Sequence, residues 1–300
     1  MKAIKIFLII SIIFLASCRK EDKLTDPGDI PGLGGDVTAK GPIDTWIYDS
    51  LTVPYNVTTK YKWDQGELDF NRLLVPPLEE KIIPVLSTIK RVWISNYTAE
   101  AGDIFMKRLC PKLFVLVGSP SFNPDGTVVL GSAEGGRQII LYAINYFRVK
   151  GMTGYVATDS FNVKEMMHTI EHEFGHILHQ TVLYPADFKL ICAGSYTSNW
   201  NNVPDGVAHQ NGFVTAYAQA STDEDFVEMI ATMLVEGKAG FDNLVNGITD
   251  TSPTGITAEQ AQSRLRQKES IVVNYFKDVW NINFYSLQLR TRTSIDELIK

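Results

Sequence analysis

Several features that would narrow the class of this protein are missing from its sequence. No basic tract is present, and 34 Asp and Glu residues outnumber 28 Lys and Arg residues, so the composition gives no support to nucleic-acid binding. The sequence has no internal repeat. Its one long apolar run, at residues 6–14, is too short to span a membrane. What is left is the composition of an ordinary globular domain, with 45% hydrophobic residues.

Cysteine is scarce, with three residues at Cys18, Cys110 and Cys192. The last two have no spacing pattern that predicts a metal site. In an oxidising compartment they could form a disulfide, and they could equally be buried free thiols. Both alternatives remain open from the sequence.

The N-terminus has the organisation of an export signal. Lys2 and Lys5 precede the apolar run, and the segment Leu15-Ala-Ser-Cys18 resembles a bacterial lipobox. That resemblance implies a signal peptide at residues 1–17, cleavage before Cys18, and lipidation of Cys18; an ordinary signal peptide is the alternative. Residues 20–22, Lys-Glu-Asp, resemble the signal that sends lipoproteins of Bacteroidota-type bacteria to the outer cell surface.

Downstream of the signal, residues 18–44 are rich in charge, proline and glycine, which predicts a flexible tether. Residues 45–300 are long enough for one sizeable domain or two closely joined lobes. Without the signal, 26 basic residues face 34 acidic ones.

Within this domain the pattern predicts an α+β fold with a small mixed sheet. Apolar periodicity predicts helices at 78–97, 103–109 and 257–280, and a short terminal helix at 294–300. Short apolar runs predict strands at 113–117 and 138–147. The second strand is either an edge strand that pairs with an extended substrate or an ordinary core strand.

The centre of the sequence is a motif, His172-Glu-Phe-Gly-His176, which matches the H-E-x-x-H pattern of zinc hydrolases. Two residues four apart point within about 40° of each other on a helix, so both imidazoles can reach one Zn²⁺. Glu173 is rotated by about 100° from His172, where it can act on a water as a general base. Apolar residues at helical spacing around the motif predict that this helix packs on the core.

Two histidines do not complete a catalytic zinc site, which usually has three protein ligands. The metzincin pattern fails, because its last histidine position is occupied by Val182. One straight helix cannot easily place a third residue over the same ion. We therefore expect His168 and His179 to support the site or line its rim, not to bind the metal.

A later helix that begins at residues 221–224 offers a carboxylate instead. Glu224 and Glu228 are four residues apart and share one face of that helix. The acidic cluster at 223–225 would also favour a helix N-terminus through the helix dipole, and both roles can hold together.

The motif at residues 172–176, followed by the segment at residues 217–228, resembles the active site of lethal-factor-like gluzincins. In those enzymes a tyrosine stands seven residues before the ligand glutamate, and a second glutamate follows four residues after it. The resemblance implies that Glu224 is the third zinc ligand. It also implies that Tyr217 steadies the oxyanion and that Glu228 accepts a hydrogen bond from a ligand histidine. A zincin-like metallopeptidase fold, with the motif on its active-site helix, is implied as well.

With the lipobox included, the whole chain resembles the substrate import-associated zinc metallohydrolase lipoproteins. This implies a zinc peptidase anchored through lipid to the bacterial outer membrane, exposed at the cell surface and associated with an import complex. The expected substrate is a peptide or protein. One alternative is a non-catalytic lipoprotein that binds peptide or glycan, against which the intact Glu173 argues, since a binder needs no base. Another is a zinc hydrolase acting on a non-peptide amide.

Overall fold

The computed structural model describes residues 40–62, 65–68, 71–123, 126, 128–129, 131–134 and 138–300. The predicted signal peptide, the lipidation of Cys18 and the tether up to residue 39 lie outside these residues. A single body spans Gly41–Lys300. Its first helix begins at Pro42, within the range that the sequence predicts as tether.

Helices make up most of the described chain. In chain order they are α1 Pro42–Ile47, α2 Val53–Tyr55, α3 Glu79–Ile89, α4 Ser95–Ala101, α5 Asp103–Leu109, α6 Asp159–Thr181, α7 Phe188–Ile191, α8 Asp205–Gln210, α9 Thr222–Asn246, α10 Ala258–Trp280 and α11 Phe284–Ile299. Turns of π-helix at Tyr48–Thr52 and Lys90–Ile94 join α1 to α2 and α3 to α4. None of the described helices is long and apolar enough to cross a membrane.

The strands are short and form two sheets. They are β1 Thr58–Lys60, β2 Leu113–Leu116, β3 Ser121–Phe122, β4 Val128–Val129, β5 Gly131–Glu134 and β6 Gln138–Leu141. The larger sheet has the order β1-β2-β6-β5, with parallel pairs β1/β2 and β2/β6 and an antiparallel pair β5/β6. Strands β3 and β4 form an antiparallel pair. The fold is therefore α+β with a small mixed sheet, as the sequence predicts.

The larger sheet is covered on both faces. Alternate side chains, such as Phe114 and Ile139, enter the main core beneath the helices, whereas Val115 and Ile140 enter a smaller cluster on the other face. Burial on both faces explains why the central strands read as continuous apolar runs.

Strand β6 is an interior strand, because it pairs with β2 on one side and β5 on the other. The prediction that 138–147 forms the edge strand is wrong, and the alternative of a core strand is correct. The strand is also shorter than predicted: Ala143 has a left-handed backbone with φ 60°, and a 3₁₀ turn follows it. The edge on this side is β5.

The motif helix α6 packs closely against α9. At Gly175 a Cβ atom would lie 3.0 Å from Val227 Cγ1 and 3.1 Å from Val227 Cβ, which is tighter than ordinary contact. A glycine inside the motif therefore lets the two helices approach each other. This contact brings the first turn of α9 to the histidines of α6.

The C-terminal helices agree with the prediction in part. Thr257 and Gln260 form the predicted capping box, with N–H to side-chain oxygen distances of 2.9 and 3.3 Å. The last helix, however, starts at Phe284 and not at residue 294. The Asn283 side chain caps it by accepting a hydrogen bond from Ser286 N at 3.2 Å.

The two cysteines of the domain lie apart in the chain and are both buried free thiols. Burial raises the pKa of Cys110 to about 12, so this thiol stays protonated. Of the two alternatives left open by the sequence, the structure has the free thiols.

Candidate metal centre

Three side-chain atoms converge where α6 meets the start of α9. His172 Nε2 is 3.2 Å from His176 Nε2 and 3.2 Å from Glu224 Oε2, and His176 Nε2 is 3.3 Å from the same oxygen. The three atoms thus form a nearly equilateral triangle. The structure brings together the three residues that the sequence predicts as metal ligands.

Local structure produces this triangle from both sides. His172 and His176 are one turn apart on α6, so their rings project from the same face. Glu224 lies in the first turn of α9, where its N–H donates to Ser221 Oγ at 3.2 Å. The cap fixes where α9 begins and therefore where the carboxylate of Glu224 points.

The triangle has the dimensions of a zinc site. Ligand atoms about 2.0–2.1 Å from a tetrahedral ion are about 3.3–3.4 Å from one another, close to the three distances observed. Glu224 Oε2 is buried and has no hydrogen-bond partner among the described residues. Three electron-pair donors that face one point, one of them an orphaned buried oxygen, are satisfied by a cation. The donor set of two imidazoles and one carboxylate suits Zn²⁺.

The surrounding charge favours a cation at this point. Burial lowers the pKa of His172, but Glu224 and Glu228 outweigh it and raise that pKa to about 10. Burial raises the pKa of Glu224, but the neighbouring rings of His172 and His176 lower it to about 2. The carboxylate is therefore ionised across the physiological range.

Glu228 lies behind His172, on the side away from the triangle. Its Oε1 is 2.6 Å from His172 Nδ1 and 3.0 Å from His168 Nε2, and its Oε2 accepts a hydrogen bond from Thr215 Oγ1 at 2.6 Å. Burial raises the pKa of Glu228, but His168 and His172 hold it well below its usual value. An ionised carboxylate only accepts hydrogen bonds, so His172 Nδ1 carries a proton directed at Glu228, which leaves Nε2 as the nitrogen that can bind a metal once a cation displaces its own proton.

His176 is supported differently. Its Nδ1 is 3.0 Å from Nε2 of His179, a buried residue one turn further along α6. Neither His168 nor His179 contributes an atom to the triangle, and their predicted role in support of the site stays a prediction. His179 contacts His176, and His168 contacts Glu228, which in turn contacts His172.

Glu173 is half-buried beside the triangle. A carboxylate oxygen of Glu173 and one ring nitrogen from each of His172 and His176 all lie within 4.8 Å of one another. This places an acid–base group next to the centre.

Tyr217 covers the centre from the side of the loop before α9. Its ring stacks on His172, with centroids 5.7 Å apart and planes at 25°, and Trp200 packs edge-on against it at 4.7 Å. Burial raises the pKa of Tyr217, and the charge and hydrogen bond of Glu224 raise it further. The hydroxyl therefore remains a donor at neutral pH.

Sequence reasoning missed Thr215, and it left His168 without a partner; for Trp200 it predicted only that the loop around residues 198–202 forms a rim over the cleft. His168 had a usable signal, since it precedes His172 by four residues and so lies on the same helical face. Thr215 had none, because this loop residue reaches the centre only through the tertiary fold. Cys18, the predicted lipidation site, lies outside the described residues.

The chain thus has an α+β fold in which an H-E-x-x-H helix and a carboxylate from a second helix converge, an arrangement typical of zinc-binding hydrolases. A family model described as "Putative zinc-binding metallo-peptidase" matches residues 36–285. The chain belongs to this family. It is also similar to a solved structure described as a putative zinc-binding metallo-peptidase from Bacteroides caccae, with 30% identity over 85% of this chain and 93% of that chain, and a TM-score of 0.67. No curated protein matches the chain significantly.

Proposed function

We propose that the chain is a zinc-dependent peptidase of the gluzincin type, with His172, His176 and Glu224 as metal ligands. The observation that carries this proposal is the triangle of donor atoms with sides of 3.2–3.3 Å around one point. When bound there, Zn²⁺ supplies a Lewis acid that activates water and polarises a carbonyl.

The residues of the chain supply the proton transfers. Glu173 stands next to the two histidines and takes the proton from the attacking water, then gives it to the leaving amine. In this proposal Glu224 is the third ligand, and Glu173 acts on the water and not as a ligand. This is the role that the motif predicts for it.

Charge that develops on the carbonyl oxygen needs a hydrogen-bond donor. Tyr217 lies against His172 and keeps its phenolic proton, so it can donate to that oxygen. Glu228 fixes the ring of His172 through the 2.6 Å contact with Nδ1.

Strand β5 is suited to hold an extended substrate. It lies at the edge of the described sheet and passes against α6, where a Cβ at Gly131 would be 2.1 Å from Thr169 Cγ2. Thr169 precedes His172 by one turn of the helix. A peptide that pairs with β5 would therefore pass over the motif. In this proposal β5, and not the interior strand β6, pairs with the substrate.

The N-terminal pattern supports a proposal for location. The lipobox-like segment that ends at Cys18 and the acidic residues after it indicate a lipoprotein of the bacterial outer membrane, exposed at the cell surface. An association with an import complex follows from the family that the whole chain resembles. Cys18→Ala should release the protein from the membrane fraction, and unchanged membrane association would contradict lipidation.

A peptide-library cleavage assay tests the activity. Zinc-loaded wild type should cleave members of the library, a chelator should abolish cleavage, and Glu173→Gln should retain zinc while losing at least about 10²-fold in rate. Glu236→Gln, on the far part of α9, is a matched control that should cleave as wild type does. If wild type cleaves nothing, and if wild type and Glu173→Gln bind peptides or glycans with equal affinity, the result would favour a non-catalytic binding protein.

A further inference from the structure

His179 is buried beside the candidate metal centre. It is 4% exposed, and its Nε2 lies 3.0 Å from His176 Nδ1. Its ring packs edge-on against Tyr184 at 5.7 Å and against Phe226 at 6.4 Å. The packing fixes the ring plane, and Nε2 of His179 is within hydrogen-bond distance of His176 Nδ1.

The chemistry of His176 sets the direction of this hydrogen bond. To bind a metal through Nε2, a neutral imidazole must carry its proton on Nδ1. That proton points at His179 Nε2, which must then accept it with a lone pair. His179 is left with its own proton on Nδ1.

The arrangement leaves the second ring nitrogen of His179, Nδ1, buried and without a hydrogen bond among the described residues. A buried unpaired donor costs free energy, so its presence calls for a compensating role. Here the cost of the unpaired Nδ1 donor is offset by Nε2 of the same ring, which accepts a hydrogen bond from His176.

The two ligand histidines are therefore supported unequally. His172 Nδ1 donates to an ionised carboxylate, whereas His176 Nδ1 faces the ring of His179 among the residues that the structure describes. Ligand histidines more often donate to a carboxylate, a carbonyl or water.

We infer that His179 is a positioning residue for the metal centre: it accepts the Nδ1 proton of His176 and so holds Nε2 of that ring toward the ion. This inference rests on the proposed function, because it assumes that His176 is a metal ligand. It assigns no contact between His179 and the substrate.

The test compares two substitutions in the full chain. His179→Phe keeps a ring between Tyr184 and Phe226 but removes the acceptor, and His179→Gln restores an acceptor through its amide oxygen. Zinc affinity is measured by competition with a chelator, and folding by circular dichroism. The Phe variant should bind zinc about 10–100-fold more weakly, and the Gln variant should recover most of that loss. With Co²⁺ in place of zinc, the visible spectrum of the Phe variant should change and that of the Gln variant should remain close to wild type.

The outcomes separate this inference from the proposed function. A wild type that binds no zinc would overturn both. A wild type that binds zinc, with a Phe variant that binds it equally well, would overturn only the role of His179. Nitrogen-15 NMR of zinc-loaded wild type gives a check that needs no variant: the proton of His179 should be on Nδ1, and a proton on Nε2 would contradict the inference.

Discussion

Glu228 accepts a hydrogen bond from His172 Nδ1 at 2.6 Å while remaining one helical turn away from Glu224, the proposed ligand. Two carboxylates on one face of α9 thus contact the two ring nitrogens of one histidine. Glu224 faces Nε2 and the centre, and Glu228 faces Nδ1 and stabilises the ring.

Glu228→Gln should reduce zinc affinity about 10–100-fold, because a neutral amide is a weaker acceptor for the proton of His172. Chelator competition measures the change. The variant should still hold zinc when the metal is in excess. If Glu228→Ala abolished zinc binding while Glu224→Ala kept it in full, the ligand assignment would be wrong by one turn.

Tyr217→Phe should keep zinc, because the hydroxyl is not part of the triangle. The rate of peptide cleavage should fall about 10²–10³-fold, as expected for loss of one donor to an oxyanion. Zinc content and cleavage of the same library substrate are measured together. A variant that loses zinc as well would show that Tyr217 supports the ligands through Glu224 instead.

A buried ion pair stabilises the residue next to the proposed ligand. Lys268 Nζ is 2.6 Å from Asp225 Oδ2, both side chains are fully buried, and the same ammonium donates to the Gly212 carbonyl at 2.8 Å. Lys268→Met should destabilise the fold by about 3–5 kcal/mol, because it leaves a buried carboxylate without its partner. Urea unfolding measures this. Adding Asp225→Asn to that variant should cost less than the sum of the two single changes.

The stability contributed by Asp159, at the start of the motif helix α6, should depend on pH. Asp159 accepts hydrogen bonds from Arg148 Nε at 2.9 Å and Val156 N at 3.0 Å, and these lower its pKa below the ordinary 3.8. A carboxyl whose pKa is lowered by folding stabilises the fold above its unfolded pKa, and this contribution is lost as pH falls through the folded pKa.

Asp159→Asn should therefore reduce the free energy of unfolding at pH 7, and the difference from wild type should shrink at pH 3 and below. Urea unfolding at both pH values measures it, with the exposed Asp278→Asn as control. An equal difference at both pH values would show that the effect comes from packing or shape and not from charge.

Local patterns predicted the parts of the fold that depend on neighbours in the chain. The H-E-x-x-H spacing requires only helical geometry, and the Thr257 capping box requires only four residues. Helix α5 was predicted with its observed bounds, Asp103–Leu109. The last helix had a readable signal that was missed: Phe284, Leu287, Thr291 and Ile295 are buried at spacings of three and four.

Tertiary pairing was not available from the same patterns. An edge strand and an interior strand with three successive apolar residues look alike until their neighbours are known, which is why β6 was misplaced. In the same way, Thr215 is an ordinary loop residue until α9 brings Glu228 within 2.6 Å of it. The residues of the centre and several of their neighbours could be proposed from the sequence, but the pairing of each neighbour, such as Thr215 with Glu228 or His179 with His176, could not.

Anomalous X-ray diffraction from zinc-loaded crystals, collected on both sides of the zinc absorption edge, tests the central claim most directly. The account predicts one ion whose nearest protein atoms are His172 Nε2, His176 Nε2 and Glu224 Oε2, each at about 2.0–2.2 Å. An ion held instead by His168, Glu228 and Nδ1 of His172, or no ion between the two helices, would contradict it.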